Sequence, residues 1–304
     1  MSEAPPRTLL RSNVVLPFLV ISLVWGSTWV VILDQIHTVP PAWSVVSRFS
    51  LATIGALLMA VAMRSSLLIS GKVHGLAMAI GLCQFCGNYM LVYHAELHLT
   101  SGIVAVMMSL LIIPNALLGS LLLGQKITGR FAVGSAVALG GIALLLANEV
   151  AAASLGRNVG LGVVLALGAM IIASIASVIQ AGSIGRSVPI VSLLAWSMLY
   201  GTLYNVTIAW AVEGPPTIPA VASYWAGAAY LAFIGSVITF PLYWRLVREI
   251  GPGRAAYHGV LVVIIAMTLS TLVEGYVWST LAISGSALSL AGLMIALRAR
   301  KPAE

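Results

Sequence analysis

Lysine and arginine residues alternate with long apolar stretches along this chain, and this alternation constrains the fold more than any other feature. Of the fifteen Lys and Arg residues, all except Arg48 and Arg157 lie before the first stretch, in every second gap or after the last stretch. These thirteen are Arg7, Arg11, Arg64, Lys72, Lys126, Arg130, Arg186, Arg245, Arg248, Arg254, Arg298, Arg300 and Lys301. The remaining gaps contain the acidic residues Asp34, Glu96, Glu149, Glu213 and Glu274. Short cytoplasmic loops of membrane proteins are enriched in Lys and Arg, so the pattern predicts a membrane protein with both termini in the cytoplasm.

The composition supports the same interpretation. The chain is 60% hydrophobic and 8% charged, whereas a soluble domain has about 25% charged residues. A helix needs about 20 apolar residues to cross a bilayer. Ten such segments are found, near 14–34, 43–63, 73–94, 100–123, 130–148, 160–181, 190–211, 222–244, 254–274 and 278–297. We therefore expect an all-α membrane protein with ten transmembrane helices, in contact with the lipid bilayer. The net charge of +7 is assigned to membrane orientation, and no nucleic-acid partner is expected.

An internal repeat divides the ten segments into residues 14–148 and 160–297. Shifting the chain by 151 residues superimposes Gly124, Gly134 and Gly141 on glycines with the same spacing, namely Gly275, Gly285 and Gly292. Because each half has five helices, an odd number, the second half must enter the membrane from the opposite side. Inverted repeats of this kind place a substrate site near the bilayer midplane, between the halves. The small residues of the fifth and tenth segments predict close helix packing there.

Arg48 lies about seven residues inside the second segment. A cation at that depth is costly and needs protein or water around it. Two roles stay open on the sequence alone: a counter-ion for a substrate carboxylate or a gate, or a structural pair with Asp34 or a helix end.

Aromatic, amide and thioether side chains in several segments could line a central pocket. Gln84 and Asn88 are four residues apart and therefore on one helix face. Trp196 lies well inside the seventh segment, where an interfacial aromatic belt would not explain it. Packing within the bundle is the alternative role for each of these side chains. The predicted substrate-binding residues are Trp25, Arg48, Gln84, Asn88, Tyr89, Met107, Met108, Trp196, Tyr204, Tyr257 and His258.

Two prolines interrupt predicted helices. Pro114 lies in the fourth segment and Pro241 in the eighth, and each removes a backbone donor and permits bending. We predict hinges at both positions, with a static kink as the alternative.

Other patterns favour neither an enzyme nor a metal site. Cys83 and Cys86 are expected to be small buried residues, and His94, Glu96 and His98 depart from the H-E-x-x-H zinc pattern. Nucleophile-elbow, Walker A and dinucleotide-binding motifs do not occur in a suitable context. No Asp or Glu is expected in mid-membrane, so coupling through a buried acid is not expected. We expect no cofactor and no metal.

Several motifs resemble the EamA-type repeat of the drug/metabolite transporter superfamily. The opening of that repeat is resembled by Trp25-Gly26-Ser27-Thr28 followed by Pro40-Pro41 with Arg48. Its end is resembled by residues 101–146, with Leu123-Gly124-Gln125 and Gly140-Gly141. The resemblance implies an inner-membrane exporter of small metabolites with a central cavity between the halves. Exporters of aromatic amino acids are the most similar group within the superfamily. The family places Glu where this chain has Gln125 and Tyr276.

Together these features predict a monomeric secondary transporter of the bacterial inner membrane. It would export a small zwitterionic metabolite by alternating access, with aromatic or large apolar amino acids as the expected substrates. A drug or other metabolite carrier of the same fold is the alternative, followed by a membrane-embedded sensor or enzyme.

Overall fold

Helices account for the regular structure of the protein. The computed structural model describes residues 12–123, 127–152, 158–180, 182–250 and 257–298, and within these ranges the chain forms helices and no β-strand. Sequence features at Arg7, Arg11, Gly124, Gln125, Lys126, Arg157, Arg254, Arg300 and Lys301 lie outside the described residues.

The first half contains seven α-helical elements. They are α1 (Ser12–Thr38), α2 (Pro41–Ala62), α3 (Gly71–Ile80), α4 (Asn88–Ala95), α5 (Ser101–Ser109), α6 (Ile112–Leu123) and α7 (Gly129–Ala152). The second half contains α8 (Val159–Gln180), the short α9 (Ser183–Ser187), α10 (Ile190–Glu213), α11 (Ala222–Ala229), α12 (Thr239–Ile250), α13 (His258–Val273) and α14 (Thr280–Arg298).

Two π-helical segments interrupt the third long helix of each half. Gly81–Gly87 connects α3 to α4, and Tyr230–Ile238 connects α11 to α12. A π-helical turn inserts an extra residue and leaves carbonyl groups without their usual helical donors. The matching positions of the two segments are consistent with the internal repeat read from the glycines.

Within the described ranges, eight helices are long and apolar enough to cross a membrane, which makes this a multi-pass membrane protein. Two of the ten predicted segments do not meet that description. The helix α10 has 24 residues, but Tyr, Thr, Trp and Asn side chains reduce its hydropathy, and α13 has 16 residues in the described part of the chain. The count of ten crossings therefore stays a prediction.

The helices α7 and α14 pack at backbone distance, as their small residues predict. A Cβ atom added at Gly141 would lie 2.6 Å from the carbonyl oxygen of Gly285, and one added at Gly292 would lie 2.6 Å from that of Gly134. These pairs run in opposite chain directions, so the two helices are antiparallel. Gly141 contacts Gly285, the repeat equivalent of Gly134, and Gly134 contacts Gly292, the repeat equivalent of Gly141. This reciprocal pattern is that of a two-fold interface.

Candidate functional site

Arg48 is the most deeply buried cation among the described residues, and both halves of the chain surround it. Its side chain is 1% exposed, whereas Arg64, Lys72, Arg130, Arg245 and Arg298 are exposed. One terminal nitrogen, Nη1, donates a hydrogen bond to the Tyr93 hydroxyl at 3.4 Å, and Nη2 donates to Ser236 Oγ at 3.2 Å. A structural pair with Asp34, one of the alternatives left open by the sequence, does not form, because Asp34 is exposed.

Aromatic rings cover the faces of this guanidinium group. Its carbon Cζ lies 4.5 Å from the ring centre of Tyr89 and 5.4 Å from that of Phe49. Cation–π contacts of this kind stabilise a desolvated cation without neutralising its charge. The Nε atom of Arg48 has no hydrogen-bond partner within the described residues. The group therefore keeps both a full charge and an unused donor.

The second π-helical segment packs directly against Arg48. Ser236 lies in this segment, and its hydroxyl donates to the Leu231 carbonyl at 2.9 Å. The Trp25 indole N–H donates to the Gly235 carbonyl at 3.1 Å, and the Ser27 hydroxyl bonds the Tyr230 hydroxyl at 2.7 Å. Side chains of α1 thus satisfy polar groups of the π-helical segment and hold the first half against the second.

A continuous chain of aromatic rings links Arg48 to His258. Adjacent rings lie with their centres 4.8–5.6 Å apart, within the range of favourable aromatic pairs. The sequence of rings is Tyr89, Phe49, Phe85, Phe240, Trp25 and His258. The predicted residues Trp25, Arg48, Tyr89 and His258 therefore belong to one network that extends across both halves.

Four glutamates cluster at the end of the bundle where α2 and α5 begin, which we call the glutamate end. Glu213 accepts hydrogen bonds from the backbone N–H groups of Ala42 and Trp43 at 3.0 and 3.2 Å. Glu149 accepts one from the Thr100 N–H at 2.7 Å, and Glu274 one from the Ser101 N–H at 3.1 Å. These carboxylates satisfy the free N–H groups at the starts of α2 and α5.

Glu96 is the fourth glutamate, and its environment differs from the other three. Its side chain is 2% exposed, and both carboxyl oxygens lack hydrogen-bond partners in the described ranges. Burial raises the pKa of Glu96 well above its usual value, and the negative charge of Glu274 raises it further, while Arg48 lowers it. Glu96 is therefore a buried acid at the glutamate end, whereas the sequence prediction excluded Asp and Glu only from mid-membrane.

Tyr276 occupies one of the two positions where the resembled family has Glu. Its hydroxyl accepts a hydrogen bond from Asn148 Nδ2 at 3.2 Å, and Asn148 Oδ1 accepts one from Ser279 Oγ at 2.5 Å. Burial raises the pKa of Tyr276 to about 12. A neutral phenol here joins the end of α7 to the start of α14 without a charge.

The amides Gln84 and Asn88 lie on the same continuous helical segment as Tyr89 and Tyr93. Asn88 is the first residue of α4, is 5% exposed and has no partner for Oδ1 among the described residues. Gln84 lies in the first π-helical segment and is half-buried. Of the two amides, Asn88 thus has the unused buried acceptor.

Four other predicted pocket residues lie in or against the hydrophobic core and outside the network around Arg48. Met107 is buried and Met108 is half-buried, both close to the end of α5. Tyr204 on α10 and Tyr257 just before α13 are half-buried against the same core. Their participation in a substrate site stays a prediction.

Trp196 belongs to a separate cluster at the opposite end of the bundle. Its indole N–H donates to the Leu67 carbonyl, at 3.0 Å, in the linker between α2 and α3. Its ring packs against His74 and Tyr200, and the Tyr200 hydroxyl bonds His74 Nδ1 at 2.9 Å. Trp196 thus lies beside this linker and apart from the aromatic rings near Arg48, and its participation in a substrate site stays a prediction.

Both prolines lie at helix discontinuities. Pro114 follows a break between α5 and α6, where the Leu110 carbonyl accepts from the Ile113 N–H at 2.8 Å. Pro241 is the third residue of α12 and follows the second π-helical segment directly. Hinge motion at either proline is untested, but both positions already deviate from a regular helix.

A cavity of about 270 Å³ opens beside Pro241 at the end of the bundle opposite the glutamate end. Residues from the end of α2, the start of α10 and α12 form its walls. They are Met63, Ser65, Pro189, Ile190, Val191, Pro241 and Arg245.

The His94, Glu96 and His98 side chains do not converge on one point. His94 Nδ1 bonds the Met90 carbonyl at 2.7 Å, and His98 Nδ1 accepts from the Asn158 N–H at 3.4 Å. The structure gives each residue a different surrounding, as expected for residues of an irregular turn.

Five side chains around Arg48 are not among the predicted substrate-binding residues, namely Phe49, Phe85, Tyr93, Ser236 and Phe240. Tyr93 could have been selected because it is one helical turn from Tyr89. The phenylalanines carry no polar signal that distinguishes them from other core residues.

Comparison with known proteins gives the family. The sequence profile of the EamA-like transporter family matches residues 13–147 and again residues 160–298. The chain belongs to this family. It is thus a membrane transporter of the drug/metabolite superfamily, and the resemblance read from its motifs is confirmed.

Two curated relatives are similar over most of their length. Protein PagO of Salmonella typhimurium is 21% identical over 263 residues, covering 86% of each chain. A probable amino-acid metabolite efflux pump of Escherichia coli K12 is 22% identical over 293 residues, covering 94% of each chain.

A solved structure has the same fold. It is a crystal structure described only as that of a protein, with a TM-score of 0.69 and 19% sequence identity. The match covers 94% of this chain and 96% of the other.

Proposed function

We propose that this transporter exports amino acids, with aromatic or large apolar side chains preferred, by alternating access across the bacterial inner membrane. The observation that carries the proposal is Arg48, a buried guanidinium with an unused donor, between the two halves of the chain. A substrate carboxylate supplies the counter-charge that Arg48 lacks, since Arg binds carboxylates in bidentate geometry.

The aromatic chain from Tyr89 to His258 is suited to the side chain of such a substrate. Ring faces and edges bind aromatic and large aliphatic groups with little dependence on their detailed shape. The name of the Escherichia coli relative, a probable amino-acid metabolite efflux pump, is in keeping with this substrate class.

In this proposal ten helices cross the membrane and the two five-helix halves have opposite orientation. Besides the eight long apolar helices, α10 forms the seventh crossing and α13 the ninth. The charge alternation supports cytoplasmic termini, with the glutamate end outside and the cavity beside Pro241 inside. Closure at one end and opening at the other is what alternating access requires.

The orientation is tested with single cysteines in a background where Cys83 and Cys86 are replaced by Ala. S66C, in the exposed linker after α2, should react with an impermeant maleimide only in inside-out vesicles. T217C, in the exposed linker after α10, should react only in right-side-out cells. The opposite result at both sites would reverse the orientation.

Transport itself is tested by efflux from proteoliposomes. Vesicles that contain the purified protein and radiolabelled L-phenylalanine should lose label faster than vesicles without protein, and unlabelled L-leucine should compete. Absence of protein-dependent efflux for every proteinogenic amino acid, with correctly folded protein, would refute the proposal.

A further inference from the structure

Glu96 and Arg48 are oppositely charged side chains with unused hydrogen-bonding capacity on neighbouring helices. Arg48 is 1% exposed and Glu96 is 2% exposed. The Nε donor of Arg48 and both carboxyl oxygens of Glu96 have no partner in the part of the chain that the structure describes. Unpaired buried polar groups are rare in native proteins, and two complementary ones together require an explanation.

The backbone places the two groups on the same side of α4. Tyr93 accepts the hydrogen bond from Arg48, and Glu96 follows it by three residues. Glu96 retains helical backbone angles, with φ −68° and ψ −14°. Residues three apart therefore share a helix face, separated by about 4.5 Å along the axis.

The other glutamates at this end cap helix starts, and Glu96 does not share that role. Glu149, Glu213 and Glu274 each accept a backbone N–H at the start of a helix. Asp34, an acidic residue near the same end, is exposed, whereas Glu96 is buried.

We propose that Glu96 is the second pole of the substrate site: its carboxylate binds the ammonium group of an amino acid whose carboxylate binds Arg48. The inference rests on the proposed function and specifies its recognition chemistry. Because a proton and the ammonium group compete for the same carboxylate, export of one amino acid is coupled to inward movement of one proton. The acidic side of the membrane then favours release of the amino acid.

The charged and titratable groups around Glu96 fit this exchange. Arg48 of α2 stabilises the carboxylate, whereas Glu274 at the end of α13 and burial favour the protonated form. Tyr93 of α4 also interacts with the charge of Glu96, and Tyr89 contacts Arg48. His94 and His98, on the same segment, are directed to the Met90 carbonyl and the Asn158 N–H. Burial raises the pKa of Glu96, which favours the protonated carboxyl over the carboxylate when no ammonium group is bound.

Three probes separate the two poles in binding experiments on the purified full-length protein. L-Phenylalanine has both charged groups, phenethylamine lacks the carboxylate, and 3-phenylpropionate lacks the ammonium group. In weakly buffered solution, L-phenylalanine should release about one proton per molecule bound while Glu96 is protonated in the free protein. 3-Phenylpropionate should bind without proton release.

The E96Q variant should bind L-phenylalanine and phenethylamine about 10- to 100-fold more weakly, as expected for loss of a charged hydrogen bond. It should bind 3-phenylpropionate with unchanged affinity and release no protons with any probe. The D34N variant, which removes an exposed carboxylate near the same end, should behave as the wild type. If E96Q does not fold, E96D should keep proton release with weaker binding.

Equal L-phenylalanine affinity and equal proton release in E96Q and the wild type would overturn the role of Glu96 while leaving amino-acid export intact. Failure of the folded wild type to bind any of the three probes or to transport any amino acid would overturn the proposed function, and this inference with it.

Discussion

Replacing Arg48 by Met separates a substrate-binding role from a structural one. The R48M side chain is apolar, unbranched and able to adapt its shape to the space that Arg leaves. If Arg48 serves the substrate, the variant should fold normally and lose ligand binding. If Arg48 is a structural element, the variant should unfold easily.

The structure supplies the magnitudes. The variant loses cation–π contacts at 4.5 and 5.4 Å, together worth about 3 kcal/mol when desolvated. It also loses two long hydrogen bonds, at 3.4 and 3.2 Å, worth about 1 kcal/mol in total. Removing a cation from membrane depth recovers about 3 kcal/mol, and removing the unpaired Nε donor recovers about 1 kcal/mol more. The free energy of unfolding should therefore change by less than about 2 kcal/mol, compared with about 3–5 kcal/mol for a broken buried ion pair.

Unfolding in detergent, with and without L-phenylalanine, measures both effects. At 100 times its Kd a ligand stabilises the folded protein by about 2.7 kcal/mol. Loss of the carboxylate contact should weaken binding about 100-fold, so the same concentration would add only about 0.4 kcal/mol. R130M, at an exposed cation on α7, should keep the full ligand effect. A loss of more than about 3 kcal/mol in ligand-free R48M, or full ligand stabilisation of R48M, would refute the reasoning.

Three further substitutions test the scaffold. G141A should lower the free energy of unfolding by about 1–3 kcal/mol through overpacking against α14. The control G140A should be nearly neutral, because its added Cβ meets only a side-chain carbon at 3.7 Å. Equal effects of the two substitutions would contradict the close packing. E213A should cost about 1 kcal/mol because the start of α2 loses its capping carboxylate, and an unchanged unfolding curve would argue against this cap. If Pro241 is a hinge, P241A should slow the initial efflux rate several-fold at unchanged ligand affinity. The control P17A, in α1, should leave the efflux rate unchanged. Equal efflux rates for P241A and the wild type would identify a static kink.

Much of the fold was predictable because membrane insertion is recorded in simple patterns. Charge-free apolar runs located the helices, and the small residues of the fifth and tenth segments predicted close packing there, which the structure shows as the contact of α7 with α14. The family followed from short motifs and is confirmed by the matching profile. The helix α10 is the exception, since it carries polar side chains that lower its hydropathy.

The site was predictable only in part, because burial depends on tertiary packing. Arg48 was identifiable as a cation in an apolar segment, but its neighbours Tyr93 and Ser236 were not selected. Glu96 was interpreted as a loop residue, since it follows a helix and stands between two histidines. The π-helical segments left no recognisable signal in the sequence, and it is one of them that positions Ser236 against Arg48.

Counterflow in proteoliposomes tests the central claim, amino-acid transport through Arg48, most directly. Vesicles with the wild-type protein and a high internal concentration of unlabelled L-phenylalanine should transiently accumulate external labelled L-phenylalanine. Vesicles with folded R48M should not accumulate it, and vesicles with R130M should match the wild type. Equal accumulation with R48M, or no accumulation of any amino acid with the wild type, would contradict the account.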